Sequence, residues 1–152
     1  MGFKLGMECK AYFFAMPLTA AWDGTGGAPS NTEMSNVKDV TLNLETGEAD
    51  VTTRANNGWR ATAATLKNGS VEFEMIWDPA DAGFTHIQTA WADSAEVGLA
   101  FMDGAIGVAG SQGLASNFTV VNFSREEPLE EAVRVKVTVK PSSFTAWAKV
   151  AE

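Results

Sequence analysis

Val133, Val135, Val137 and Val139 alternate with Arg134, Lys136 and Thr138. Successive side chains of a strand point to opposite faces, so this run presents one apolar and one polar face. Such a ribbon is stable only as one strand of a larger sheet laid over a core. The same period of two recurs at Val71, Phe73, Met75 and Trp77, with Glu72 and Glu74 opposite, and at Val40, Leu42 and Leu44, with Thr41 and Asn43 between them. Val97, Leu99 and Phe101 make a shorter run, and residues 10–16 read as a first strand. Residues 118–123 are apolar on both faces, the pattern of a strand covered on both sides.

One segment has a different period. Ala80, Phe84, Ile87 and Trp91 fall on one helical stripe, which predicts a helix over residues 79–92 with Asp78 as its cap and Pro79 in its first turn. Asp81 stands where a carboxylate favours the helix N-terminus. The order is four or five strands, one helix, then three or four strands. The expected fold is mainly β: a β-sandwich or partly closed barrel of about 7–9 strands with one flanking helix. A chain of 152 residues makes about one domain. Residues 1–152 are read as that single domain, with residues 1–10 and the loop 23–36 as possible assembly arms.

The loops divide by composition. Residues 23–36 are turn-rich and long, and long loops in compact domains carry function. Glu45, Thr46, Gly47 and Glu48 read as a turn between two strands. Residues 54–60 form a polar loop around Trp59, and residues 103–113 read as a Gly-rich flexible hairpin tip. Of the five tryptophans, Trp77 and Trp91 belong to the core pattern, while Trp22 and Trp59 sit in or beside polar loops. There each is either an interface anchor or a lid on the domain's own core.

No chemistry assembles from the residues. His86 is the only imidazole and Cys9 the only thiol, too few for a zinc site and without a G-x-S-x-G elbow. Glu72 and Glu74 lie ~6.5–7 Å apart along a strand, within the spacing of inverting glycosidases, but such pairs are common on solvated strand faces. The aspartates are dispersed and make no calcium loop. The expectation is no catalytic residue, no cofactor and no metal. No apolar run approaches the roughly 18 residues of a membrane span. The formal charge of -8 disfavours non-specific nucleic-acid binding, and an anionic surface would let DNA pass without sticking.

The stretch from Asp39 through Arg54, Asn56, Asn57, Gly58, Trp59 and Arg60 to Trp77 and Asp78 resembles the tail tube (major tail) proteins of long-tailed bacteriophages. The segment from Pro79 to Trp91 is similar to the helix of that family. Asn117, Phe118, Thr119, Val120, Val121, Asn122, Phe123 and Ser124 continue the resemblance, as does the strand 133–140. It spans most of the chain, residues 37–147. The resemblance implies hexameric rings stacked into a hollow tube around a tape-measure protein, with tail terminator and baseplate proteins at its ends. It also implies that DNA passes through the bore. The location implied is the virion tail, assembled in the host bacterial cytoplasm. The inner tube of the type VI secretion system is the related alternative; a monomeric carbohydrate-binding β-sandwich is the unrelated one. On this reading Arg54, Asn57, Trp59, Arg60 and Trp22 are the expected assembly interface, and Glu48, Asp50, Glu72 and Glu74 the expected acidic lumen.

Overall fold

The computed structural model describes residues 6–150. Seven strands form one antiparallel sheet: β1 (Lys10–Phe14), β2 (Asn31–Glu33), β3 (Val37–Asp50), β4 (Thr62–Ile76), β5 (Glu96–Met102), β6 (Gln112–Glu126) and β7 (Arg134–Lys149), with α1 (Ala82–Ala92) between β4 and β5. The sheet order is β2-β1-β5-β6-β7-β4-β3. Strands β2 and β3 are therefore its two edges, yet only residues 34–36 join them. So short a link spans at most ~14 Å, whereas the edges of a flat sheet of this width would stand roughly 29 Å apart. The sheet must curl until its edges nearly meet.

Strands β6 and β7 make the curl. Strand β5 pairs with the first half of β6, from Gly113 to Thr119, and β4 pairs with the first half of β7, from Arg134 to Val139. Between those halves the β6–β7 register shifts three times, from Ala115 to Asn122. Such bulges bend a strand pair from one layer into the next. The result is a sandwich-like, partly open barrel. Its front layer is β2-β1-β5 with the adjoining parts of β6 and β7, and its back layer is β3-β4 with the rest.

The main core lies between the layers. Phe73 of β4 meets Phe101 of β5 at 5.8 Å between ring centres, and Phe101 meets Phe118 of β6 at 5.6 Å. Val71, Met75, Val135, Val137 and Val139 are buried with them, as the alternation predicts. Each such side chain contributes roughly 1.5–3 kcal/mol when fully buried. A second cluster covers the outside of the front layer, where Tyr12, Phe14, Ala100 and Met102 lie under Leu18, Trp22 and Ile106. That cluster explains why β1 and residues 113–118 of β6 are buried on both faces. The doubly covered stretch thus lies earlier in β6 than residues 118–123, because the covering segments cross only its first half.

Helix α1 closes one open side of the sandwich, with Phe84 between Trp77 and Phe123. It starts later than predicted. Asp81, not Asp78, is the cap, its Oδ2 accepting the Phe84 N–H at 2.9 Å, while Asp78 holds a preceding turn by accepting the Ala80 N–H. The buried stripe is Gly83, Phe84, Ile87 and Ala90. Trp91 is half-exposed and stacks on Phe123. The phase differs because Gly83 lies against Met34: a Cβ there would come within 3.0 Å of Met34 Cγ.

One loop expectation changes: residues 45–48 lie within β3 rather than in a turn, and the β3–β4 register slips beside Gly47. Residues 103–111 are a packed loop, with Ile106 buried and its N–H donating to the Tyr12 hydroxyl at 3.2 Å. The segment 23–36 is tied to its own subunit at both ends, with most of the residues between them exposed. It contains β2, buried Met34, and Asp23, whose carbonyl accepts the Lys149 N–H at 2.9 Å. Of residues 1–10, the first five lie outside the described residues; Gly6–Glu8 make a 3-10 turn and Lys10 begins β1.

Candidate assembly surfaces

The β3–β4 hairpin outgrows the sheet that carries it. The two strands pair from Val37↔Met75 to Asp50↔Thr62, but β4 has a second neighbour, β7, only from Val71 onward. Beyond Leu44 and Gly69 the hairpin is a two-stranded arm. Such a ribbon is marginal alone in water and gains from a partner surface.

The tip of the arm is organised by its own hydrogen bonds. Thr53 caps the 3-10 turn Arg54–Asn56 through a reciprocal box: the Ala55 N–H donates to Thr53 Oγ1, and the Thr53 N–H donates to Asn56 Oδ1 at 2.7 Å. Asn57 (φ 53) and Gly58 (φ 83) take left-handed conformations that send the chain back. The Val51 N–H to Ala61 C=O bond closes the base. Hydrogen bonds from the Thr52 hydroxyl and N–H hold the Asp50 carboxyl below its usual range. Trp59 stands 78% exposed at the tip, beside exposed Arg54, Asn57 and Arg60. Arg60 lies 3.9 Å from Asp50, both well exposed. The structure thus brings four of the expected interface residues together.

It separates the fifth. Trp22 is only 7% exposed, edge-on to Phe14 at 6.4 Å between ring centres. It is a lid on the front-layer cluster, not a surface anchor. The segment carrying it is held down by Asn117, which bonds both backbone groups of Leu18.

The second surface is an open seam. Where the sheet edges approach without pairing, they leave a groove of about 700 Å³. Val40 and Leu42 form one wall, Phe101, Met102 and Trp147 the other, with Glu33, Lys38, Asp39 and Asp103 at the rim. Val40, Leu42 and Leu44 face the core side of β3, as their alternation predicts, but they remain 40%, 37% and 52% exposed. The pattern called for burial, and the subunit supplies no cover, because β3 is an edge strand that runs past the front layer. Trp147 is half-exposed, its Nε1 donating to Gln112 Oε1 at 2.9 Å.

The third surface is the outer face of the back layer. Thr41, Asn43, Glu72, Glu74, Asn122, Ser124, Lys136 and Thr138 share it by register. It is polar and mixed in charge. Glu74 pairs with Arg134 at 3.3 Å, and Glu126 with Lys136 at 3.2 Å. The four acids expected to line one lumen do not share a face. Glu48 and Asp50 follow the β3 alternation onto the side of Val40 and Leu42, on the arm, while Glu72 and Glu74 lie opposite.

One signal available in the sequence was not part of the expectations. Residues 51–70 carry Arg54, Arg60 and Lys67 and no acid, within a chain of formal charge -8. The tip and the returning half of the arm are thus basic, while Glu45, Glu48 and Asp50 on its β3 half balance them. His86, by contrast, belongs to the packing: it stacks on Phe13 at 4.8 Å, and burial pulls its pKa below the ordinary 6.5.

No family model matches the chain, and no curated protein matches it. Solved structures do. A chain from the tail of an empty gene transfer agent particle, refined with helical and C6 symmetry, superposes with a TM-score of 0.70 at 13% identity, covering 98% of this chain and 100% of that one. The SPP1 tail tube, solved by solid-state NMR and cryo-EM, gives 0.68 at 14% identity over 99% of this chain and 81% of that one. A chain of the six-fold symmetrised anti-feeding prophage baseplate gives 0.61 at 9% identity over 99% and 98%. At such identities the likeness is one of fold, carried over essentially the whole chain.

Proposed function

We propose that this chain is the structural subunit of a virion tail tube. It would assemble into six-membered rings that stack into a hollow tube, through which phage DNA is delivered. One observation carries the reading: the chain superposes on a chain from a C6-symmetric tail over 98% of its own length and 100% of that one's. The unpartnered surfaces agree with it. A subunit that lives as a monomer has no use for an arm with both faces in water or for an uncovered apolar edge.

The polar outer face of the back layer is our choice for the bore. It offers Thr, Asn and Ser side chains with balanced charge and no aromatic ring to stack on a base. Glu72 and Glu74 would belong to the lumen, and Glu48 and Asp50 to a contact between subunits. The tape-measure protein would occupy this bore before DNA does, terminator and baseplate proteins would close the tube, and assembly would take place in the host cytoplasm. The likeness to the baseplate chain favours a second reading, the tube of a related injection apparatus.

Negative-stain microscopy of the concentrated protein tests the proposal. Six-fold rings or tubes are the expected outcome. A protein that stays monomeric at every concentration, and binds glycans, would instead be a carbohydrate-binding module.

A further inference from the structure

The arm tip and the seam groove complement each other in chemistry and shape. Residues 51–70 hold three cations and no anion, so the remainder of the chain carries the whole excess of acid. Glu45, Glu48 and Asp50 balance those cations over the arm as a whole, so the positive charge is local to the tip, where Arg54 and Arg60 stand. The arm ends in an exposed indole, and the groove is walled by exposed aliphatic residues and a second indole. A Trp side chain buries roughly 150–250 Å² on contact, and the groove of about 700 Å³ admits it with room for flanking side chains.

We propose that the arm tip of one subunit seats in the seam groove of a second copy. The Trp59 indole lies against Val40, Leu42 and Trp147, and the guanidinium groups of Arg54 and Arg60 reach the carboxylates of Asp39 and Asp103 at the rim. This rests on the self-assembly reading and adds to it the surface that receives the arm.

The contact must be made in trans. Strand β3 runs without interruption from Val40 and Leu42 in the groove wall to Asp50 at the base of the tip. The tip is thus carried roughly 26 Å beyond its own groove. Knob and hole are different patches of the same subunit, so the contact is heterologous. Repeated contacts of that kind build rings or stacks, whereas a self-complementary patch would stop at a dimer. The contact also covers the one apolar row of β3 that the subunit leaves open.

The test is photo-cross-linking in the assembled full-length protein. Trp59 is replaced by p-benzoylphenylalanine, isotope-labelled and unlabelled subunits are mixed, and the cross-linked peptides are mapped. Attachment to Val40, Leu42 or Trp147 of a differently labelled copy is the expected result. Tubes that form while the probe attaches elsewhere overturn this inference and leave the tube reading standing. Failure of the unsubstituted protein to assemble overturns both. A reverse probe at Leu42 decides the matter if the Trp59 variant does not assemble. It should attach to residues 57–60 of another copy, and intermolecular attachment confined to other residues overturns the proposal.

Discussion

Asn117 holds both backbone groups of Leu18: its Oδ1 accepts the Leu18 N–H at 2.6 Å, and its Nδ2 donates to the Leu18 carbonyl at 2.9 Å. A side-chain amide here does what a strand neighbour does in a ladder. It pins the segment after β1 to β6, where the register of β6 with β7 is already broken, and the side chain is 1% exposed. Asn117→Ala would leave a buried donor and a buried acceptor unpaired, at about 1–3 kcal/mol each. The expected loss is about 2–5 kcal/mol, which for a domain of this size lowers Tm by roughly 5–20 °C. Thermal unfolding followed by circular dichroism measures it. A drop of under a degree would mean that the segment is not held through this residue.

Trp22 depends on the same clamp. Trp22→Ala empties the lid of the front-layer cluster and is expected to cost about 3–5 kcal/mol. Trp22→Phe keeps the edge-on contact with Phe14 and removes an Nε1–H that has no hydrogen-bond partner among the described residues. It should change stability by less than about 1.5 kcal/mol and leave assembly intact. Denaturant unfolding gives the stability and electron microscopy the assembly. A stable Phe variant that cannot assemble would return Trp22 to the interface.

The two loop tryptophans show where the sequence is legible and where it is not. Both lie in polar surroundings, and locally nothing distinguishes them. What separates them is a contact between residues 99 positions apart, Asn117 with Leu18, which no local pattern contains. Alternation located β4 and β7 and their core faces correctly, because those strands are covered by the chain itself. It also assigned the correct face to Val40, Leu42 and Leu44. It could not give their burial, because a pattern records that a face needs cover and not which molecule provides it. The missed β3 segment has a local cause. Gly47 next to acidic residues reads as a turn, but here a Cβ would come within 2.5 Å of Thr65 Oγ1, and the glycine serves close strand approach beside a bulge. The four acids were chosen by sign, whereas strand parity divides them between two faces, so only some of them can line one surface.

His86 makes stability depend on pH. Its imidazole is stacked on Phe13, and burial depresses its pKa below the unfolded value of 6.5. Below 6.5 the unfolded chain takes up the proton before the folded one does, so acidification favours unfolding. The contribution is complete above 6.5 and falls away as the pH drops toward the folded-state pKa. His86→Gln should therefore flatten the acid side of the stability profile, compared with the unsubstituted protein between about pH 5 and pH 8. The difference between the two profiles isolates His86 from the carboxylates, which titrate in both. Parallel profiles would show that the imidazole is solvated in the folded state.

The arm tip separates folding from assembly, because its side chains stand in water in the subunit. Trp59→Ala removes an indole that touches little of its own chain, so Tm should move by no more than a surface substitution allows, about 0.5 kcal/mol in stability. Tube formation should fail, or need far higher protein concentration, because a desolvated aromatic anchor dominates the contacts in which it sits. Replacing Arg54 and Arg60 together by Glu should likewise spare the fold. The Arg60–Asp50 pair it breaks is long and solvent-exposed, and such pairs add little. It turns the tip from two positive charges to two negative ones on an already acidic molecule, so copies repel more strongly. That repulsion is screened beyond ~10 Å at 0.1 M salt. Assembly of the charge-reversed variant should therefore recover partly as ionic strength rises, whereas Trp59→Ala should not recover. Light scattering against salt concentration distinguishes the two. If both variants respond alike, the tip contributes bulk rather than a charged anchor to the contact.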